Sequence, residues 1–522
     1  MRHIIFFWMG LLCLAACPAG CSRDTAPESD CREGAEAYRQ GYYRRAEERY
    51  RAAIREAEKA GPEGLRLATC LSGLAAVYEA QGRYAQAETL GVRALSIREK
   101  ALGAGHPDVA MSLNNLGLVY YAQGRYSRAE PLFRRAFAME EGAFGPDHIR
   151  LAATLSNLAA LYSDLGRFAE MDSLYRRALA IREHAAPDDA GLAGLLNNIG
   201  VFYRMCARYD EAETVWKRAL AIREKALRPG HPDIATSLTN LGVLYVQQGR
   251  FKEAQPLLEN ALAIQEEALG PDHPVRSKIL CNLGALFYGR CRYEEAEAFL
   301  LKARPIEEAA FGPAHPDVAV TMSNLGELYT RQGRYAEAES SHRRALAIQE
   351  EAFGPDHPKL AVTLNNLGLV YYFQRDYTTA EPFFRRSLAI LEKSLGEGHP
   401  DLATPLHNLG VICREQGRYP EAEALIKRAL AVSEESLGPN HPNLAEFLQN
   451  YAGLLRQTGQ GEAAAEVQRR ADRIRAYLSE VEGVRDVSAR GSTGAPLVYL
   501  LFGLALILIV YGVRRYLRGK RG

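Results

Sequence analysis

Leu113, Leu116, Gly117 and Tyr120 are spaced i, i+3, i+4, i+7, which places them on one face of an α-helix. After Gly124-Arg125-Tyr126 a second helical stripe begins with Ala129, Leu132, Phe133 and Ala136, and Gly145-Pro146-Asp147-His148 interrupts it. The pattern then restarts. Residues 113–136, LNNLGLVYYAQGRYSRAEPLFRRA, return as residues 364–387, LNNLGLVYYFQRDYTTAEPFFRRS. The glycine slot of the short Q-G-R-Y turn recurs at Gly41, Gly82, Gly124, Gly166, Ala207, Gly249, Cys291, Gly333, Arg375, Gly417 and Gly459, with gaps of 41 or 42 residues. Eleven copies at one period predict a stacked array whose units bury their apolar faces against their neighbours. Two helical stripes per copy, with no strand pattern, exclude a propeller.

The slot of Gly117 holds only Gly or Ala in every copy: Gly34, Ala75, Ala159, Gly200, Gly242, Gly284, Gly326, Gly368, Gly410 and Ala452 elsewhere. A small residue there lets neighbouring helices approach closely, and Ala129 and Ala136 do the same in the second stripe. Met171 and Ser387 depart from that rule, so the fourth and ninth copies are expected to pack less regularly. Glu33 replaces the apolar residue in copy one, as expected of a terminal cap facing water.

The order L-x-x-L-G-x-x-Y…A-x-x-x-F…A resembles the tetratricopeptide signature. With the G-P-D-H-P loop and phrases such as A-L-A-I-R-E, the repeats resemble those of kinesin light chains over about residues 29–478. The resemblance implies an all-α, right-handed superhelical solenoid of about eleven tetratricopeptide helix pairs. It also implies a concave groove, lined by the first helices, that holds a protein or an extended peptide. No separate heptad coiled coil precedes the repeats, so a motor role is not implied.

On a helical wheel the slot of Asn115 falls opposite the core stripe. It is Asn in nine consecutive copies: Asn115, Asn157, Asn198, Asn240, Asn282, Asn324, Asn366, Asn408 and Asn450. Asn costs roughly 0.5 kcal/mol against Ala inside a helix, so nine in register call for a reason. One reading is a peptide-binding groove, since an amide can pair with both the N–H and the C=O of a ligand backbone. The other is that each Asn ties its repeat to the next. Flanking slots hold Arg204, Lys278, Arg331, Arg414 and Arg456 together with Asp164, Glu327 and Glu415, so the groove has mixed charge.

Lys+Arg number 64 and Asp+Glu 63, a net charge of +1 that gives no indication of nucleic acid. No phosphate loop, H-E-x-x-H or G-x-S-x-G motif is found, so no catalysis and no cofactor are expected. His106, His148, His231, His273, His315, His357, His399 and His441 recur one repeat apart, too far to share a metal ion, and most precede a Pro suited to a first helical turn. Cys31 and Cys70 fall on successive first helices, where a bridge is conceivable. Cys281 and Cys291 are too far apart along one repeat to pair.

The two ends differ from the array. Ile4 to Ala16 is an apolar stretch of 13 residues. Leu14-Ala15-Ala16-Cys17 resembles a bacterial lipoprotein box, which implies a signal peptide over 1–16 and lipidation at Cys17. The alternative is an ordinary secretory signal cut near Ala19 or Gly20. A linker over 17–28, the array over 29–478 and a polar linker over 479–495 follow. Residues 496–513 read as a transmembrane helix and 514–522 as a basic tail, which the positive-inside rule places in the cytoplasm. The alternative is a sorting signal that is removed. The expected protein is thus a membrane-anchored, non-catalytic scaffold with a periplasmic or otherwise extracytoplasmic array. A structural tether and a regulatory subunit of an enzyme complex are the competing readings.

Overall fold

The structure, a computed structural model, describes residues 26–482 apart from 41, 62, 186–189, 206–207, 438 and 440–441. These residues form 22 α-helices and no strand. They make eleven antiparallel pairs, from Ala26–Arg39 with Tyr43–Ala60 to Pro442–Gln457 with Gly461–Glu482. First helices have 13–16 residues. Second helices have 18–22.

The recurring loop histidine is a helix cap. His106, His231 and His315 precede Pro at the first helical position, and each ring Nδ1 accepts the backbone N–H two residues on, at 3.1, 3.1 and 3.0 Å. An orphan N–H is thereby satisfied where Pro supplies none. Among the described residues the turn inside a pair takes a left-handed residue, with φ 71° at Gly82 and 67° at Gly124. Cys291 and Arg375 adopt it without being glycine, at 57° and 62°.

Small residues set the closeness of each pair. A Cβ at Gly117 would lie 2.6 Å from the Phe133 ring, and one at Gly200 would lie 2.4 Å from Trp216. The expected irregularity of the fourth and ninth repeats is absorbed locally. Met171 is completely buried, and the Ser387 hydroxyl donates to the Ala361 carbonyl at 3.0 Å. Between repeats, the arginine of the turn reaches back to a glutamate on the preceding second helix. Arg125 meets Glu88 at 2.6 Å, Arg167 meets Glu130 at 3.0 Å, Arg250 meets Glu213 at 2.8 Å and Arg334 meets Glu297 at 2.8 Å. The same guanidinium lies over a tyrosine of its own repeat, 3.8 Å from Tyr245 for Arg250.

First helices of neighbouring repeats pack on one another, whereas second helices make no comparable contact among themselves. The array therefore curves with its first helices inside. It curves far enough for repeats six apart to touch. His273 Nε2 is 2.6 Å from the Gln40 carbonyl oxygen, and His315 Nε2 is 3.0 Å from that of Ala80. Tyr43 and Tyr84 pack against Phe311 and Phe353, with ring centroids 5.7 and 5.6 Å apart. Gly124 repeats the contact: a Cβ there would lie 2.5 Å from His357. The turns of repeats one to three thus rest on the loops entering repeats seven to nine.

Two expectations are corrected here. The fold is an all-α solenoid, and among the described residues no helix is long and apolar enough to cross a membrane. The apolar first helices stop at 16 residues, about 24 Å, short of the roughly 30 Å hydrocarbon layer. The longer second helices carry charged outer faces, as in Gly461–Glu482. The C-terminal transmembrane helix, and with it the membrane-anchored array with a cytoplasmic tail, is not carried forward. Residues 1–16, Cys17, 496–513 and 514–522, on which the anchoring was read, lie outside the described residues.

Candidate functional site: the inner face of the first helices

The nine asparagines divide into two classes. Asn157 Nδ2 donates to Asn114 Oδ1 at 3.4 Å, and Asn408 Nδ2 donates to Asn365 Oδ1 at 2.8 Å. Asn240 makes the same bond to Asn197. Asn450 Nδ2 lies 2.9 Å from His407 Nε2. In each case the partner sits one position before the ladder slot of the preceding repeat. These four amides tie repeat to repeat.

Asn115, Asn198, Asn282, Asn324 and Asn366 make no such bond. The residue that would receive them is Ser72, Ser156, Thr239, Cys281 or Ser323, which is too short and already engaged. Ser72 accepts from Arg98 at 3.0 Å, while Ser156 donates to Ala152 at 2.7 Å and Thr239 to Ala235 at 2.8 Å. Cys281 Sγ contacts Thr321 at 3.3 Å, and Ser323 contacts His342 at 3.3 Å. Asn282 and Asn366 are both 5% exposed, and each has one amide atom, Nδ2 and Oδ1 respectively, without a partner. Three open rungs, Asn282, Asn324 and Asn366, are consecutive and belong to repeats seven to nine. The tandem asparagines in LNN, visible in the sequence, mark the partners of three of the four tied rungs; His407 serves the fourth.

The flanking cations are mostly engaged. Lys278 Nζ is 3.6 Å from Asp317, and Arg414 pairs with Glu415 at 2.6 Å and reaches Asn450 Oδ1 at 3.4 Å. Arg331 Nε donates to the Tyr288 hydroxyl at 3.0 Å, which donates to Glu327 Oε1 at 3.1 Å. Burial pushes the Glu327 carboxyl up to about 8 despite the opposing pull of Arg331. Arg204 differs: it is 4% exposed, its Nη1 has no partner, and burial pulls it down to about 10. Where repeats two and eight meet, a cavity of about 60 Å³ is lined by Tyr38, Tyr43, Glu79, Tyr84, Lys278 and Asp317, among others. Burial lifts the Glu79 carboxyl there to about 7. Sequence reasoning missed both this seam and the partners one position before the ladder.

A tetratricopeptide repeat family model matches in nine windows between residues 34 and 475. No match is found among curated proteins. Among the similar solved structures are three of helical repeat proteins. BtubC (BKLC) from P. vanneervenii is 23% identical, with 47% of this chain and 96% of that one covered and a TM-score of 0.38. A putative kinesin light chain from Podosopora anserina with nearly identical TPR-like repeats is 25% identical, with 39% and 97% covered and a TM-score of 0.34. A Rap protein complexed with competence and sporulation factor is 17% identical, with 71% and 99% covered and a TM-score of 0.47.

Proposed function

Because this chain belongs to the tetratricopeptide repeat family, we propose that it is a non-catalytic scaffold that holds an extended peptide, or such a segment of a partner protein, on the inner face of its first helices. One observation carries the reading: the unpartnered buried amide atoms of Asn282 and Asn366, with the untied Asn324 between them, in a ladder of which four other members are used for assembly. A buried amide atom without a partner costs about 1–3 kcal/mol, so the array bears a penalty that a ligand backbone would relieve. The last torsion of Asn is broad and roughly two-fold, so either amide atom can turn toward the ligand. Rungs on neighbouring helices lie about 10 Å apart and an extended chain rises about 3.3 Å per residue. One rung would therefore meet roughly every third ligand residue. Arg204, whose buried Nη1 has no hydrogen-bond partner, suits a carboxylate on the bound segment.

The test is selection from a displayed library of random linear peptides. Asn282, Asn324 and Asn366 are then replaced together by Ala. Binders are expected to lose roughly 0.5–1.5 kcal/mol per lost hydrogen bond while the melting temperature stays level or rises. A lowered melting temperature with unchanged capture would sink the ligand reading and assign all nine asparagines to assembly. A chain that enriches no peptide at all would favour the tether.

A further inference from the structure

The first two repeats carry a pair of thiols that the binding reading does not use. Cys31 lies on the helix Ala26–Arg39 and Cys70 on the helix Leu65–Ala80, the first helices of adjacent repeats. Their sulfur atoms are 2.7 Å apart, 39 residues apart in sequence. A disulfide bond is about 2.04 Å, so closing the pair needs a movement of about 0.7 Å. Cys70 is completely buried, whereas Cys31 is partly exposed.

We propose that Cys31 and Cys70 are a redox site that forms a reversible disulfide and latches the first repeat onto the second. The oxidant is a low-molecular-weight or protein disulfide. The accessible Cys31 thiolate attacks one sulfur of that disulfide, whose S–S bond breaks as the first thiolate leaves. Cys70 then attacks the Cys31 sulfur of the mixed disulfide and the second thiolate leaves. The two protons of the cysteines end on the two departing thiols, and the two electrons of the pair reduce the oxidant. Cys70 suits the resolving step by position, its sulfur lying 2.7 Å from that of Cys31; the hydrogen bond with Cys31 that lowers its thiol is used up in the mixed disulfide, and the nearby Arg66 still favours its thiolate against burial.

The latch has a structural consequence. The first repeat also carries the first contact of the seam, where the Gln40 carbonyl meets His273 and the Tyr43 ring meets Phe311. Fixing Ala26–Arg39 to Leu65–Ala80 holds that contact from the N-terminal side. Oxidation therefore adds a covalent tie to an end of the array that packing alone holds in the thiol form.

The full chain is treated with oxidised glutathione or with dithiothreitol, alkylated, and mapped without reduction. The expected result is one cross-linked peptide joining Cys31 to Cys70 in the oxidised sample. Proteolysis within the first repeat should also be several-fold slower than in the reduced sample. Cys31→Ala and Cys70→Ala should each abolish the cross-link and the protection, while matching the reduced wild type in proteolysis. Recovery of both thiols alkylated after oxidation, or a glutathione adduct on Cys31 that never resolves, overturns the site. A cross-link that leaves proteolysis unchanged overturns the latch. The wild-type comparison needs no variant, so a poorly folding substitution does not blunt the test.

Discussion

Asn240 and Asn282 occupy the same slot of adjacent repeats and differ in what lies behind them. Behind Asn240 is Asn197, long enough to reach; behind Asn282 is Thr239, whose hydroxyl is spent on its own helix. Removing the acceptor by Asn197→Ala leaves the Asn240 amide, 4% exposed, with an unmet donor. That should cost about 1–3 kcal/mol in urea unfolding. The reciprocal change, Thr239→Asn, supplies an acceptor to Asn282 and should stabilise by about 0.5–1.5 kcal/mol at nearly equal helix propensity. If Asn197→Ala costs no more than Ser323→Ala, the two classes of rung do not exist. The ladder itself was legible from period and phase alone. Which rungs were taken was not, because the partner lies about one repeat plus one residue away. That offset acquires meaning only once the relative rotation of neighbouring first helices is known.

At the scale of elements, each repeat is organised by its two connections. The Q-G-R-Y turn was read from the sequence as punctuation, and its left-handed slot is what makes glycine recur there. Its arginine was not read at all, although the ion pair of Arg167 with Glu130 fastens one repeat to another and Arg250 lies over Tyr245 of its own repeat. The partner glutamate sits on a different helix, so no pattern within a copy reveals it. The loop histidine was noticed, and its Pro was assigned to the first helical turn. That the ring itself caps the helix and reaches another superhelical turn required the fold. The turn of repeat nine departs most: Arg375 takes the left-handed conformation, and Asp376 caps the next helix through the Thr379 N–H at 3.1 Å. A left-handed residue other than glycine costs about 1–2 kcal/mol, and glycine returns about 0.5–1 kcal/mol of that as chain entropy. Arg375→Gly should therefore stabilise the array by roughly 0.5–1 kcal/mol, and Cys291→Gly should move the melting temperature the same way. A lowered melting temperature for both would mean that the left-handed slot carries no strain.

For the whole molecule, the seam makes the superhelix dependent on the protonation of a few buried groups. His315 bridges repeats two and eight only while neutral, with Nδ1 accepting the Asp317 N–H and Nε2 donating to the Ala80 carbonyl. A second ring proton would set two N–H groups against each other at the cap. Burial lowers His273 and His315 and takes His342, His357 and His407 to about 3. Histidines depressed in this way stabilise the fold fully above their unfolded value of about 6.5 and lose that contribution as pH falls toward 3. Glu79, Glu307 and Glu327 act oppositely. Burial raises them to about 7, 8 and 8, so their contribution is present at low pH and disappears as pH rises through those values. Between about 4.5 and 6.5 the three histidines held near 3 balance the three carboxyls, and the lowering of His273 and His315 tips the balance toward the histidines; above that the carboxyls act alone. Stability should therefore peak near pH 6.5, fall toward about pH 8 as the carboxyls ionise, and fall most steeply below about pH 4.5, where the histidines act alone. Urea midpoints across that range give the curve, and small-angle scattering gives its structural cause. On acidification the radius of gyration should grow before helix content is lost, as repeats one to three leave repeats seven to nine. A flat midpoint between pH 4 and 8, or helix loss that precedes expansion, would show that these buried rings do not hold the turns together.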